Sequence, residues 1–273
     1  MASYRVKIAV AAALAFPSQA LGQNLPDCNP DTARVVEVSA QVAGNDFDGA
    51  KQTVVGGSVT RSTCIGESAN RFRLEVSGAY VDEPVGHAGV VLVGVGVELR
   101  PFGHESGLIV TPLARFGYEN FAGRGDRFIL GGALTIVDVV WQKTVKRGSG
   151  KDEYEIPRTQ IILGGVIEYT DRRTAGTGGS SFLILPDARA TFGANVAVDQ
   201  LLSENLRARA TGGYQVLGRG AVSGYGYLEL GLRPVNDRQD NYRWNFSIRA
   251  SLGDGGYRGL LFGISRRFSS KRK

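Results

Sequence analysis

The chain has 273 residues, with 32 Lys and Arg against 26 Asp and Glu, a formal net charge of +6 at neutral pH, and 38 glycines. The basic residues do not form runs interleaved with aromatic side chains, and this argues against a nucleic-acid partner. After the N-terminal segment, no stretch reaches about 18 consecutive apolar residues, so the sequence predicts no transmembrane helix.

Residues 1–22 have the pattern of a secretory signal peptide. Arg5 and Lys7 precede an apolar run that ends at Phe16, and small residues follow at Ala20 and Gly22. The apolar run is too short to cross a bilayer as a helix. We therefore predict an exported protein in which residues 23–273 form one domain, with a buried N-terminal helix as the alternative.

The chain has two cysteines, Cys28 and Cys64. Export would place them in an oxidising compartment, where a disulfide between them is expected, and two free thiols are the alternative. The cysteines and the two histidines show no metal-ligand spacing, so we predict no metal site. The glycine run at 176–179 lacks the Lys-Ser/Thr of a phosphate-binding loop, and we predict no cofactor.

Alternation of apolar and polar residues with a period of two predicts β-strands along most of the chain. In chain order, the pattern is clearest over residues 71–80, 114–119, 161–170, 188–199, 206–216 and 244–252. These runs put residues such as Phe192, Phe246 and Ile248 on an apolar face. Several of them reach about 10 residues, which is the length of a tilted strand that crosses a bilayer.

The fold predicted from this pattern is an all-β, antiparallel up-and-down transmembrane barrel of about twelve strands. The strands are expected at 33–43, 51–62, 70–81, 89–100, 107–119, 127–146, 152–170, 182–198, 205–217, 222–234, 241–253 and 257–268. Turn-rich pieces, such as Gly44-Asn45-Asp46, separate them. Segments 51–62, 89–100 and 127–140 alternate poorly. An even strand number returns both ends of the chain to the same side of the membrane, which we expect to be the periplasmic side.

Aromatic residues fall near the ends of the predicted strands. One group belongs to one rim of the barrel: Tyr80, Tyr118, Phe128, Tyr169 and Phe182. A second group belongs to the other rim: Phe102, Trp141, Trp244 and Phe268. Two such rings are typical of the interfacial girdles of a membrane barrel, and ordinary core aromatics are the alternative.

The last predicted strand resembles the C-terminal strand of bacterial outer-membrane β-barrel proteins. Leu260, Phe262, Ile264 and Phe268 alternate along it, and no specific family is indicated. The resemblance implies a location in the outer membrane of a Gram-negative bacterium, with that lipid bilayer as the surroundings. It also implies that Phe268 is the assembly signal read by the outer-membrane barrel-assembly machinery.

Charged residues lie on the polar face of the alternating segments, which would enclose the lumen. The lumen-facing candidates are Arg71, Arg73, Arg115, Glu119, Glu168, Arg189, Arg207, Arg209, Glu229, Arg249 and Arg267. Rings of arginine can favour anions in a pore. Arginine–carboxylate pairs can equally seal a narrow barrel, so both an open and a sealed lumen remain open at this point.

A catalytic site has little support in the sequence. His104-Glu105-Ser106 contains a base, an acid and a hydroxyl, but three consecutive residues in a tight turn rarely reach the geometry of a catalytic triad. His87 falls in a short predicted loop. We therefore expect no catalytic residues and no enzymatic activity.

Four functions are compatible with this fold. The first is a narrow porin-like channel, or a passive structural component, with an arginine-rich lumen and a mild preference for small anionic solutes. The second is a scaffolding or interaction protein of the outer membrane without transport, and the third is a lipid-modifying barrel enzyme. The fourth is a soluble ligand-binding barrel, in which the alternation would be inverted, with apolar side chains inside.

Overall fold

The computed structural model describes residue 28 and residues 33–47, 50–66, 69–83, 86–102, 107–121, 125–147, 152–170, 190–203, 205–217, 221–232 and 244–270. The predicted signal peptide (residues 1–22) lies outside these ranges, as do His104, Ser106, Phe182 and Arg189. Within the described ranges, no helix is long and apolar enough to span a membrane.

Twelve antiparallel strands form one closed barrel, in which every strand pairs with its sequence neighbours and the last strand pairs with the first. The strands are β1 (Arg34–Phe47), β2 (Ala50–Cys64), β3 (Arg71–Glu83), β4 (Gly86–Glu98), β5 (Ile109–Phe121), β6 (Gly125–Arg147), β7 (Asp152–Thr170), β8 (Ala190–Leu201), β9 (Leu206–Leu217), β10 (Ala221–Leu232), β11 (Trp244–Gly253) and β12 (Tyr257–Ser270). The predicted up-and-down barrel is therefore confirmed.

The first strand is longer than the sequence predicted. Gly44-Asn45-Asp46 was expected to form a turn, yet β1 continues through it to Phe47. The reason is that Asn45 faces inward, where its amide donates a hydrogen bond to Gln52 (3.0 Å) and accepts one from the Tyr257 hydroxyl (3.1 Å). A turn-forming residue type is thus held in a strand by partners on both neighbouring strands.

The strand ends form two rims. We call the rim that holds the start of β1 and the end of β12 the terminal rim, and the opposite one the loop rim. At the terminal rim, β6 and β7 extend beyond the strands on either side of them. The pairing of β5 with β6 ends at Val137, whereas β6 and β7 stay paired as far as Arg147 and Asp152. A two-stranded ribbon therefore projects from this rim.

The outer surface of the barrel is apolar. Large hydrophobic side chains are exposed on it around the whole circumference, among them Val42, Val59, Phe116, Leu130, Leu163, Phe192, Val196, Leu228, Phe246, Ile248, Phe262 and Ile264. A water-soluble barrel would place such residues inside and polar residues outside. This surface instead matches a wall in contact with lipid hydrocarbon, and closure of the sheet leaves no unpaired strand edge there.

Candidate functional site

The candidate site is the barrel lumen, and part of its wall nearest the loop rim is covered by apolar side chains. A cluster drawn from six strands lies there, which we call the apolar cluster: Ala43, Val54, Val81, Ala88, Val90, Leu92, Ile129 and Leu261. Each member is at most 5 % exposed. These side chains pack against one another along the wall from β12 through β1–β4 to β6, and they leave almost no surface for water.

The apolar cluster explains why β4 alternates poorly in the sequence. Val90 and Leu92 face the cluster, whereas Val91 faces outward and is 51 % exposed. Both faces of the strand are therefore apolar, one because it meets lipid and the other because it packs in the apolar cluster. A smaller apolar group lines the opposite wall, formed by Ile109, Val137, Ile162 and Ala197.

A row of alternating charges crosses four neighbouring strands inside the lumen, and we call it the charge ladder. Asp199 lies directly opposite Arg209, and Arg209 lies directly opposite Glu229. Glu229 in turn lies opposite Arg249 and accepts a hydrogen bond of 2.7 Å from its guanidinium. Asp199 binds two arginines, Arg209 at 3.1 Å and Arg207 at 2.6 Å. Opposite charges placed directly across a pair of strands stabilise the sheet.

Further ion pairs extend around the wall. They are Arg73–Glu75 (3.1 Å), Arg100–Glu98 (3.7 Å), Arg115–Glu168 (2.9 Å) and Arg267–Glu37 (3.2 Å). Among the described residues, the buried or half-buried inner charges are eight arginines (71, 73, 100, 115, 207, 209, 249 and 267) and seven carboxylates (37, 75, 98, 119, 168, 199 and 229). The charge of this part of the lumen is therefore nearly balanced.

The Arg115–Glu168 pair crosses over an intervening strand. Arg115 is on β5 and Glu168 on β7, and between them β6 contributes Gly131, which lies opposite both residues in register. A Cβ atom at Gly131 would lie 2.5 Å from the backbone oxygen of Ile167 and 2.8 Å from Cγ of Glu168, closer than real Cβ atoms approach such neighbours. The inward glycine therefore provides the space for the bridge.

Gly131→Ala should destabilise the barrel by about 1–3 kcal/mol, because the added methyl group would press on the Ile167 carbonyl of β7 and on Glu168, the partner of Arg115. The matched control is Gly132→Ala, whose Cβ would point outward with its nearest neighbour at 3.6 Å. This control should be neutral or slightly stabilising, since glycine is unfavourable within a strand. Urea unfolding of the two refolded variants measures the difference, and equal stabilities would contradict the proposed crossing.

The structure places the predicted lumen residues as follows. Arg71, Glu119, Glu168, Arg207, Arg209, Glu229, Arg249 and Arg267 are buried inside the barrel. The side chains of Arg73 and Arg115 are 13 % and 16 % exposed. Arg71 lies directly opposite Glu98, so the inner arginines are placed beside carboxylates rather than in a ring of their own. The apolar cluster was not anticipated from the sequence.

Phe268 and the two cysteines lie at the terminal rim. Phe268 is exposed on the outer surface of β12. Cys28 and Cys64 are joined by a disulfide with their Cα atoms 5.8 Å apart, and Cys64 is the last residue of β2. The bond therefore ties the segment before β1 to the end of β2.

His87, at the loop rim, forms a surface arrangement. Its Nδ1 lies 3.6 Å from a carboxylate oxygen of Asp82, and its ring stacks on Tyr80 at 6.0 Å. Both the histidine and the aspartate are more than half exposed. Within the described part of the chain, no group of three or more His, Cys, Asp or Glu residues is arranged to hold a metal ion.

Comparison with known proteins identifies the fold. No family model matches the chain, and no curated protein matches it. Solved structures do match: the β domain of the Bordetella autotransporter BrkA (TM-score 0.55, 16 % identity, 87 % of this chain and 99 % of that one) and an outer membrane channel from Pseudomonas putida F1 (TM-score 0.55, 11 % identity, 91 % and 100 %). The NanC porin is also similar (TM-score 0.52, 10 % identity, 86 % and 100 %).

At these identities the likeness concerns the fold, and the fold is that of bacterial outer-membrane barrels. The closed sheet and the apolar outer surface satisfy the two requirements of a β-structure in lipid. The chain has the fold of bacterial outer-membrane β-barrels. This confirms the location and the general resemblance that the last strand suggested.

Proposed function

We propose that this barrel is a narrow channel whose lumen is closed, in this conformation, by the apolar cluster and the charge ladder. The apolar cluster supports the proposal most directly. A hydrated ion that crosses a dry apolar constriction must lose its water, and such constrictions act as gates in other channels. Conduction then requires the cluster to separate, and the paired charges below it line the path that ions would follow.

The nearly balanced charge of the lumen bears on how strongly an open channel would select anions over cations. Paired charges present little net field to a passing ion, and the described lumen has an excess of one arginine over its carboxylates. We therefore propose that an open state would show a weak preference for small anionic solutes rather than strong anion selectivity. This is a smaller preference than an unpaired ring of arginines would give.

A passive structural or interaction function in the outer membrane is the second candidate, and the projecting β6–β7 ribbon favours it. The ribbon stays paired through Lys146 opposite Glu153 and Arg147 opposite Asp152. A paired ribbon outside the membrane is a surface that a periplasmic partner could contact. A barrel that never conducts, but retains partners through this ribbon, would fit this function.

We propose no enzymatic step. The described environment of His87 is an exposed ion pair and a ring stack, which is an ordinary arrangement at a loop rim. For assembly, we propose that the barrel-assembly machinery reads β12 with Phe268 as its aromatic signal. The exposed position of Phe268 at the end of the last strand supports this proposal.

Planar-bilayer recording tests the closed-channel proposal. The wild-type protein should give no steady current, whereas the double variant Leu92→Ser/Leu261→Ser should open, because hydroxyl groups allow water into the apolar cluster. The matched control is Leu260→Ser, which makes the same change on the lipid-facing side next to Leu261 and should leave the barrel closed.

Two results would count against the proposal. A large, stable current from the wild-type protein would show that the lumen is already open. The second is the absence of current from a double variant that heat-modifiable gel mobility shows to be folded. That result would contradict a gate formed by the apolar cluster and would favour the structural function.

A further inference from the structure

Three outward-facing arginines lie together at the terminal rim, on the strands on either side of the barrel closure. They are Arg34 on β1, Arg61 on β2 and Arg266 on β12, and all three are exposed. In register, Val36 pairs with Arg61 on one side and with Phe268 on the other. Arg34 is two residues from Val36, and Arg266 is two residues from Phe268. We call these three residues the arginine patch.

Two aromatic rings hold the guanidinium group of Arg266. Its Cζ atom lies 4.9 Å from the ring centre of Trp244 and 4.7 Å from that of Phe268. Tryptophan and other aromatics at strand ends mark the boundary between hydrocarbon and headgroups in membrane barrels. Arg266 is therefore fixed at the depth where lipid phosphates lie, and its cation–π contacts leave its hydrogen-bond donors free for an anion.

The arginine patch has no carboxylate neighbour on the outer surface among the described residues. Two described acids on β1 and β3, Glu37 and Glu75, face the lumen and pair there with Arg267 and Arg73. The outward side chains around the patch are Val38, Val59, Thr63, Leu74 and Ile264. Three positive charges thus meet the membrane surface without a counter-ion from the described chain.

A contrast within the same barrel sets this patch apart. Arg258, also outward-facing, lies on β12 near the loop rim, where it is directly opposite Asp46 in register. Arg158 lies over the ring of Trp141 at 3.9 Å, on a different side of the barrel. Neither forms a group of three cations, so each serves as an internal comparison.

We propose that the arginine patch binds the phosphate of an anionic phospholipid in the periplasmic leaflet, with phosphatidylglycerol as the test case. Guanidinium groups on three adjacent strands surround the phosphate, and the acyl chains lie along the apolar surface that includes Val38, Val59 and Ile264. A lipid held in this way bridges β12, β1 and β2. It therefore stabilises the closure of the barrel from outside, independently of whether the lumen conducts.

Tryptophan quenching by brominated lipids tests this site, because the chain has only two tryptophans. In a Trp141→Phe background, the remaining reporter is Trp244, which contacts Arg266. The full-length protein is refolded into phosphatidylcholine vesicles that contain equal small fractions of either brominated phosphatidylglycerol or brominated phosphatidylcholine. We expect the phosphatidylglycerol to quench Trp244 several-fold more strongly.

Substitutions define the residues responsible. Arg61→Gln should lower the relative affinity for phosphatidylglycerol by roughly fivefold, the effect of about one basic residue at an anionic lipid surface. Arg61→Lys should retain most of the preference, and Arg258→Gln should leave it unchanged. Gel mobility shows that each variant is folded, and Arg34→Gln provides a second test if Arg61→Gln does not fold.

Three results would overturn the proposal. The first is equal quenching of wild-type Trp244 by the two brominated lipids. The second is an unchanged preference in a folded variant that lacks both Arg34 and Arg61. The third is displacement of the lipid by inorganic phosphate at constant ionic strength, which would show a site for the free anion rather than for a lipid headgroup.

Discussion

Arg249→Ala is expected to destabilise the barrel by about 3–5 kcal/mol, the cost of removing one partner from a buried ion pair. Arg249 and Glu229 are 5 % and 4 % exposed, and the arginine donates from Nε (3.0 Å) and Nη2 (2.7 Å) to the same carboxylate oxygen. The arginine also lies over the ring of Tyr227 at 4.3 Å. Without it, Glu229 keeps a buried negative charge, and its remaining cross-strand cation, Arg209, is shared with Asp199.

A double variant separates the cost of the orphaned charge from the value of the pair. Arg249→Met/Glu229→Leu removes both charges, and Met can still contact the Tyr227 ring, so the loss should be clearly smaller than for Arg249→Ala alone. Arg258→Ala, an outward and exposed arginine, should change stability by less than about 0.5 kcal/mol. Urea titrations of refolded protein, followed by intrinsic fluorescence, measure all three. A single variant no worse than the double variant would mean that the lumen is wet at this height.

The sequence was most informative where the two faces of a strand meet different surroundings. On β8, β9 and β11 the outer face meets lipid and the inner face holds charges, and the alternation of Phe192, Arg209 and Ile248 with their neighbours predicted the strands closely. On β4 the inner face meets the apolar cluster instead, so the alternation disappears although the strand is regular. A period-two pattern appears in the sequence only where the two faces of a strand meet different surroundings, and it is absent where both faces meet apolar surroundings.

The two faces also change phase where a strand contains an extra residue. The pairing of β6 with β7 shifts between Val139 and Trp141, and both Val140 and Trp141 are exposed. A bulge of this kind changes the direction of the side chains next to it. Before the shift the two faces of β6 alternate regularly, and the segment 127–140 shows no clear period because inward Ile129, Ala133 and Val137 are as apolar as outward Phe128, Leu130 and Leu134.

Contacts inside the lumen depend on register and could not be predicted from spacing. The sequence placed Arg115 and Glu168 among the inward candidates, but their pairing across Gly131 joins residues 53 positions apart on strands that are not adjacent. The same holds for Arg267 and Glu37, which meet only because the last strand closes on the first. The sequence predicted which charged residues face inward, but only the closed sheet shows that the arginines and carboxylates are paired.

Ile248→Arg, one residue before Arg249, should destabilise the barrel by about 2–4 kcal/mol, because it places a cation against hydrocarbon near the middle of the membrane. Ile248 lies mid-way along β11, faces outward, and pairs in register with Leu230 and Phe262, which are also exposed and apolar. The arginine at 249 is stable because it has Glu229 beside it. An arginine at 248 would have no such partner on this surface.

The depth of the substitution provides the control. Leu252→Arg makes the same kind of change on the same face of β11, but next to the loop rim, where the side chain can reach the headgroups and should cost only about 0–1 kcal/mol. Unfolding of both variants in lipid vesicles measures how the loss of stability depends on the depth of the added arginine in the membrane. A soluble barrel would give the opposite result, since an added outward charge would be neutral or would improve solubility. A flat profile would therefore contradict a lipid-facing wall, and with it both the channel and the lipid-binding patch.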